Sequence, residues 1–119
     1  MSELPPTLAE LLLKPRGAGR PEHFDSSGRG TNPACGDELL LYLTHDGDGV
    51  RVAFEARACA AVLATASLVA AALDGSPRAT LERYDVRAAV DAAGGLPRHR
   101  THAARVVQRA LDDALVGLR

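Results

Sequence analysis

The sequence has no tryptophan, two tyrosines, two phenylalanines and a single methionine. Rings cannot fill its interior, so any core has to be built from Ala, Val and Leu. The same scarcity argues against a ligand site made by aromatic stacking. No apolar run is long enough to span a bilayer. The formal net charge of -1 leaves no excess of either sign that would point to nucleic acid or a membrane surface as partner. Residues 1–11 lack the basic start and apolar middle of a secretory signal, which makes the cytoplasm the expected compartment. Cysteine is nearly absent too. In that compartment Cys35 and Cys59 are expected as reduced thiols, serving chemistry, metal or packing rather than a disulfide.

What is present is ordinary for a globular chain: 46% hydrophobic and 24% charged residues over 119 positions. That length fits one domain, residues 1–119, with a modest core. Leu4, Leu8, Leu11 and Leu12 at helical spacing predict a short helix over residues 1–13, with Thr7 as its N-cap. Residues 14–33, rich in Gly, Pro, Arg and Ser, read as a long irregular connection or a poorly formed edge strand. Glu38–Thr44 and Val50–Ala56 read as strands of a hairpin around His45-Asp46-Gly47-Asp48-Gly49. Three helices follow. The first, Cys59–Leu73, is small and apolar nearly all round, as a central buried helix should be. The second covers roughly Ala79–Ala92 and stops at Gly94-Gly95. The third runs from near Thr101 to Leu118 with an apolar stripe from Ala103 to Leu118. Strands followed by helices predict an α+β fold, a small antiparallel sheet packed against helices.

Three short segments carry groups capable of chemistry. In Cys35-Gly36-Asp37 an extended chain would point thiol and carboxylate the same way, with Gly36 leaving the space open and Pro33 stiffening the approach. Cys59 opens the apolar helix, where unpaired N–H groups favour a thiolate and hence a nucleophilic or metal-binding sulfur. His102 lies beside the apolar stripe of the last helix, at its start. Each residue alone has a bland reading as a buried thiol or an exposed histidine. Together, two sulfurs, a carboxylate and an imidazole make a four-donor set suited to zinc or to iron in a cluster. A thiol enzyme with Cys59 as nucleophile and His102 as base stays open, although it leaves Cys35 and Asp37 without a task.

These segments resemble the U-type iron–sulfur cluster assembly scaffolds, the IscU/SufU family and the amino-terminal domain of NifU. Asn32-Pro33-Ala34-Cys35-Gly36-Asp37 reproduces the family's N-P-x-C-G-D. Lys14-Pro15-Arg16-Gly17-x-Gly19 is similar to its N-P-R-N-x-G. Phe54-x-Ala56-x-Ala58-Cys59 stands where the family has F-x-G-x-G-C, with alanines for both glycines, and Ala64-x-Ala66-Ser67 follows its A-x-A-S. Leu96-Pro97-Arg98-His99-Arg100-Thr101-His102-Ala103 aligns without a gap on L-P-P-V-K-L-H-C.

The resemblance implies an IscU/SufU-like fold and a non-enzymatic role. Such a protein holds iron as a labile [2Fe–2S] cluster, or zinc, through Cys35, Asp37, Cys59 and His102. The implied partners are a cysteine desulfurase, acceptor apo-proteins, and a chaperone that grips the L-P-P-V-K segment, of which Leu96, Pro97 and a basic Arg100 are kept. Two cysteines per chain leave the oligomeric state open, a homodimer bridged by one cluster included. Ala103 departs from the pattern, since the family's third cysteine is missing there. That loss makes the alternative a zinc- or iron-binding relative that no longer assembles clusters and acts as regulator or iron donor.

Overall fold

The computed structural model describes residues 4–119. A short helix α1 (Pro6–Leu13) leads into three strands, β1 (Ser26–Asn32), β2 (Asp37–Asp46) and β3 (Gly49–Arg57). Helices α2 (Ala60–Leu73), α3 (Arg78–Glu82), α4 (Val86–Ala92) and α5 (His102–Gly117) follow, with a 3₁₀ turn at Arg98–Arg100 before the last. The sheet is antiparallel in the order β1-β2-β3. This is the expected α+β arrangement.

The long hairpin follows from alternation. Leu39, Leu41 and Leu43 of β2 and Val50, Val52 and Phe54 of β3 are buried on one face, where α2 and α5 cover them. Each such side chain contributes about 1.5–3 kcal/mol by leaving water. The turn is tighter than expected. Pairing continues out to Asp46 and Gly49, so only Gly47 and Asp48 make the bend, with Gly47 at φ +61°. A glycine with positive φ at the first central position suits the twist of a two-residue hairpin.

The glycine-rich segment resolves into the edge strand β1. Its inward positions are Ser26, Gly28 and Gly30, and α5 lies directly on them. A Cβ built on Gly28 would stand 2.0 Å from the Ala110 carbonyl oxygen, and one on Gly30 2.0 Å from that of Val106. The strand is therefore set by its contact with the helix. Ser26 Oγ donates to the Ala114 carbonyl at 2.5 Å, and Asp113 of α5 accepts the outward N–H of Arg29 at 3.0 Å.

Residues 14–19 are tied down as well. The Arg16 N–H donates to Ser67 Oγ of α2 at 2.5 Å, and Phe54 of β3 exchanges backbone hydrogen bonds with Gly17 and Gly19. Gly17 has φ +78°, and a Cβ there would meet the Ala70 side chain at 2.6 Å. The chain then crosses the outer sheet face, where the Phe24 and Tyr42 rings pack 4.7 Å apart under the Arg20 guanidinium.

Two helix ends differ from the sequence reading. Pro5, not Thr7, is the N-cap of α1, because Pro6 with its fixed φ and missing N–H occupies the first helical position. The predicted stretch over residues 1–3 lies outside the described residues. The single helix at Ala79–Ala92 is broken into α3 and α4. Asp85 caps the second piece by accepting the Ala88 N–H at 3.1 Å, and Gln108 of α5 accepts the Val86 N–H at 2.9 Å. Asp74 closes α2: it accepts from Arg51 Nε and the Val52 N–H, each at 2.9 Å. Burial pushes the Asp74 carboxyl up, but the Arg51 guanidinium and the Val52 N–H outweigh it and hold the group below its usual value.

Gly28→Ala and Gly30→Ala are each expected to cost about 3 kcal/mol or to prevent folding, because the added methyl meets helix backbone that cannot move aside. Urea denaturation curves superposable on the wild type would remove this account of β1. The Asp74 contacts contribute stability above pH ~4, and that share is lost as pH falls through the depressed folded value. Asp74→Asn should thus lower the melting temperature near neutral pH and narrow the difference from wild type at pH ~3, by under about 1 kcal/mol for so exposed a pair.

Candidate metal centre

The four candidate donors come from four places in the chain. Cys35 lies in the turn between β1 and β2, Asp37 opens β2, Cys59 is the N-cap of α2, and His102 is the first residue of α5. The approach at Cys35 differs from the extended geometry expected. Residues 33–36 form a turn closed by Cys35 N–H to the Asn32 carbonyl (3.1 Å) and Gly36 N–H to the Pro33 carbonyl (3.3 Å), with Gly36 at φ +70°. Thiol and carboxylate nevertheless face one spot. One donor atom each from Cys35, Asp37 and His102 lies within 4.8 Å of the other two. Cys59 stands at the edge of this trio, its Sγ 3.9 Å from His102 Nε2.

Asp37 organises the group. It is buried, with 3% of its surface exposed, and both oxygens are engaged. Oδ1 accepts the Cys59 N–H at 2.8 Å, and Oδ2 lies 2.9 Å from His102 Nε2. The first bond satisfies one of the N–H groups left unpaired at the start of α2 and fixes the helix end to the start of β2. The second aims the imidazole. Nε2 faces both Asp37 and Cys59, so the same ring nitrogen is turned toward the other donors. Cys35 is exposed and Cys59 is partly buried, which leaves a thiol at the mouth of the site and a second one behind it.

Two neighbouring positions bear on the chemistry. Ala56 and Ala58, on the approach to Cys59, take negative φ, so that backbone needs no glycine. Ala103 is completely buried, at 0% exposure, within the apolar stripe of α5. No pair among the four donors is a disulfide; both thiols are free. The sequence reading missed the role of Ser67. Its hydroxyl anchors the segment before Gly17 to α2, and the signal was there as one of two hydroxyls, with Thr65, in an otherwise apolar helix.

Replacing Asp37 by Ala would strand the Cys59 N–H and His102 Nε2, an expected cost of about 1–3 kcal/mol in metal-free protein. Asp37→Asn keeps an acceptor for the Cys59 N–H and should recover part of that loss. Denaturation after chelator treatment measures both, and an Asp37→Ala protein as stable as wild type would show that the carboxylate organises nothing.

Comparison with known proteins follows the same lines. The family described as NifU-like N terminal domain matches residues 6–118. Two proteins of Archaeoglobus fulgidus, both called iron-sulfur cluster assembly scaffold protein IscU, are 30% identical over 103 residues, which is 86% of this chain and 67% of theirs. The bifunctional protein NifU/MnmA of Rubrobacter xylanophilus is 32% identical over 114 residues, 92% of this chain but 23% of that protein. Among solved structures, an iron–sulfur cluster assembly scaffold described for the SUF system of Fervidobacterium islandicum superposes with a TM-score of 0.68 at 20% identity, covering 97% of this chain and 96% of that one. A NifU-like amino-terminal domain from Brucella abortus gives 0.60 at 20% identity over 90% and 76% of the two chains. At such identities the structural likeness speaks for the fold alone, and the sequence matches speak for kinship. The chain belongs to the NifU-like N-terminal domain family, the family of the iron–sulfur cluster assembly scaffolds.

Proposed function

We propose that this protein holds iron together with sulfide as transferable cargo, through Cys35, Asp37, Cys59 and His102, and works beside a cysteine desulfurase that supplies the sulfur. The observation that carries this reading is the convergence of Cys35, Asp37 and His102 within 4.8 Å, with the Cys59 sulfur 3.9 Å from the imidazole. The donor types suit the cargo: two thiols stabilise iron bound to sulfide, and carboxylate and imidazole complete four ligands with mixed hardness. A mixed set binds a cluster less firmly than four thiolates, which fits cargo meant to leave. Cys35 at the surface is the donor an incoming protein reaches first.

The protein is a carrier rather than an enzyme in this reading. One nitrogen, His102 Nε2, faces both Asp37 at 2.9 Å and the Cys59 sulfur at 3.9 Å, which suits donors gathered on one ion better than a relay with carboxylate and thiol on opposite ring nitrogens.

One observation favours a second reading. The chain has two cysteines, and position 103, where the resembling scaffolds carry a third, is a core alanine with no exposed surface. Two thiols, a carboxylate and an imidazole also satisfy a single tetrahedral Zn²⁺ or Fe²⁺. A protein so loaded would act as iron donor or regulator in the same system.

Anaerobic incubation with ferrous iron, cysteine, a desulfurase and a thiol reductant, which brings the persulfide sulfur to sulfide, separates the two. Cluster assembly predicts visible charge-transfer absorption and stoichiometric acid-labile sulfide, both lost in Cys59→Ala. The zinc reading predicts one metal per freshly isolated chain, no sulfide, and a stability loss on chelation of about 2.7 kcal/mol if the metal stands at a hundred times its Kd. A colourless protein free of metal and sulfide, with equal stability with and without chelator, would defeat both.

A further inference from the structure

The site described above is bordered on one side by arginines that the fold does not use. Between Asp91 and Asp112 the chain carries Arg98, Arg100, Arg105 and Arg109 and no acidic residue. Several arginines elsewhere have structural partners. Arg51 pairs with Asp74 and Asp46, Arg29 with Glu38, and Arg78 donates to the Leu115 and Leu118 carbonyls at the end of α5. The guanidinium groups of Arg98, Arg100, Arg105 and Arg109 make no hydrogen bond or ion pair among the described residues.

Their placement follows the helix. His102, Arg105 and Arg109 fall at i, i+3 and i+7 of α5, one stripe along its outer face. Arg105 and Arg109 are exposed, whereas Val106 and Ala110, which alternate with them, are buried against the sheet. Arg98 and Arg100 sit in the 3₁₀ turn just before His102. The cations therefore start at the metal-site imidazole and continue away from it.

A hollow of about 230 Å³ at the seam of α4 and α5 adds a fixed point, with Arg87 of α4 and Arg105 of α5 both in its wall. The other polar groups there are committed. Asp85 caps α4, Gln108 bridges the Val86 N–H and Asp112, and the Thr101 hydroxyl donates to the Arg98 carbonyl. The Arg87 and Arg105 guanidinium groups remain to receive a carboxylate from outside, beside the single Asp85 carboxylate.

We propose that this arginine stripe, Arg98, Arg100, Arg105 and Arg109 with Arg87 across the seam, is the docking surface for an acidic face of the sulfur-supplying desulfurase, seated so that its cargo reaches the exposed Cys35. The inference rests on the function proposed above and adds to it the surface and its charge logic. The partner is a protein rather than nucleic acid because the charge is local: the chain as a whole is slightly acidic at -1, and Asp112 and Asp113 end the stripe within the same helix. A nucleic-acid backbone demands a longer basic track. A bounded patch of guanidinium groups orients a protein encounter and raises its on-rate, and salt weakens it.

Titration calorimetry with the purified desulfurase of the same organism, at several salt concentrations, tests it. Wild-type affinity should fall as salt rises. The double variant R105E/R109E should bind roughly tenfold more weakly or worse and lose most of the salt dependence, whereas K14E, an equal charge change per residue at the end of α1, should stay within about twofold. Both variants alter exposed side chains, so unchanged circular dichroism and melting temperature show that folding is intact. If wild type and R105E/R109E bind the desulfurase equally, the docking surface is wrong and the functional reading stands. If the wild type itself shows no binding, the desulfurase partnership fails and the inference falls with it. Duplex DNA bound by wild type and lost in R105E/R109E, with desulfurase binding unaffected, would reassign the stripe to nucleic acid.

Discussion

The structure depends on how closely α5 can lie against β1. Side chains normally hold a helix about 10 Å from a sheet. Here Gly28 and Gly30 remove them at the contact, and the carbonyls of Val106 and Ala110 occupy the space where methyl groups would be. Strand and helix run in opposite directions along this contact, since Gly30 meets Val106 and Gly28 meets Ala110 and Ala114. The end of the strand that leads into the Cys35 turn therefore lies beside the start of the helix. One turn before Val106 is His102. The imidazole arrives beside Cys35 and Asp37 because of the register of a glycine-on-helix contact that itself supplies no donor.

Asp37 converts that placement into a site. It is one of few buried polar side chains, and it spends one oxygen on the N–H of Cys59 and the other on His102. The start of β2, the start of α2 and the start of α5 are thus joined through a single carboxylate. Two helix N-termini and the turn before β2 meet there, which is a common way to build a polar cluster at the edge of an apolar core. The core supplies none of the donors. Its Ala, Val and Leu side chains fix distances, and the donors project from the ends of the elements they fix.

Much of this was legible in the residues, and the exceptions have physical causes. The hairpin was readable because Val50-Arg51-Val52-Ala53-Phe54-Glu55 alternates, and the last helix because its apolar spacing is regular. The edge strand was readable only as one of two alternatives for residues 14–33, since Ser26, Gly28 and Gly30 carry no apolar signal; its strand character comes from α5, which is distant in sequence. The break between α3 and α4 was hidden inside a stretch with good helical composition, although Asp85 three residues before Ala88 is a recognisable cap. The donor residues stood out through the N-P-x-C-G-D segment and its companions. The local backbone at Cys35 did not, because Gly36 turns the chain where an extended segment was expected.

Both flanks of the sheet carry a further meaning. Gly17 and Gly19 fill the outer side of β3 at Phe54, and the carboxylate of Asp113 caps the middle of β1 at Arg29. An open sheet of three strands would otherwise offer unpaired backbone on either side for a neighbouring molecule to extend. With those places taken, a second molecule has no continuous ladder to join there. At those positions the sheet cannot be lengthened by another strand without first displacing part of its own chain.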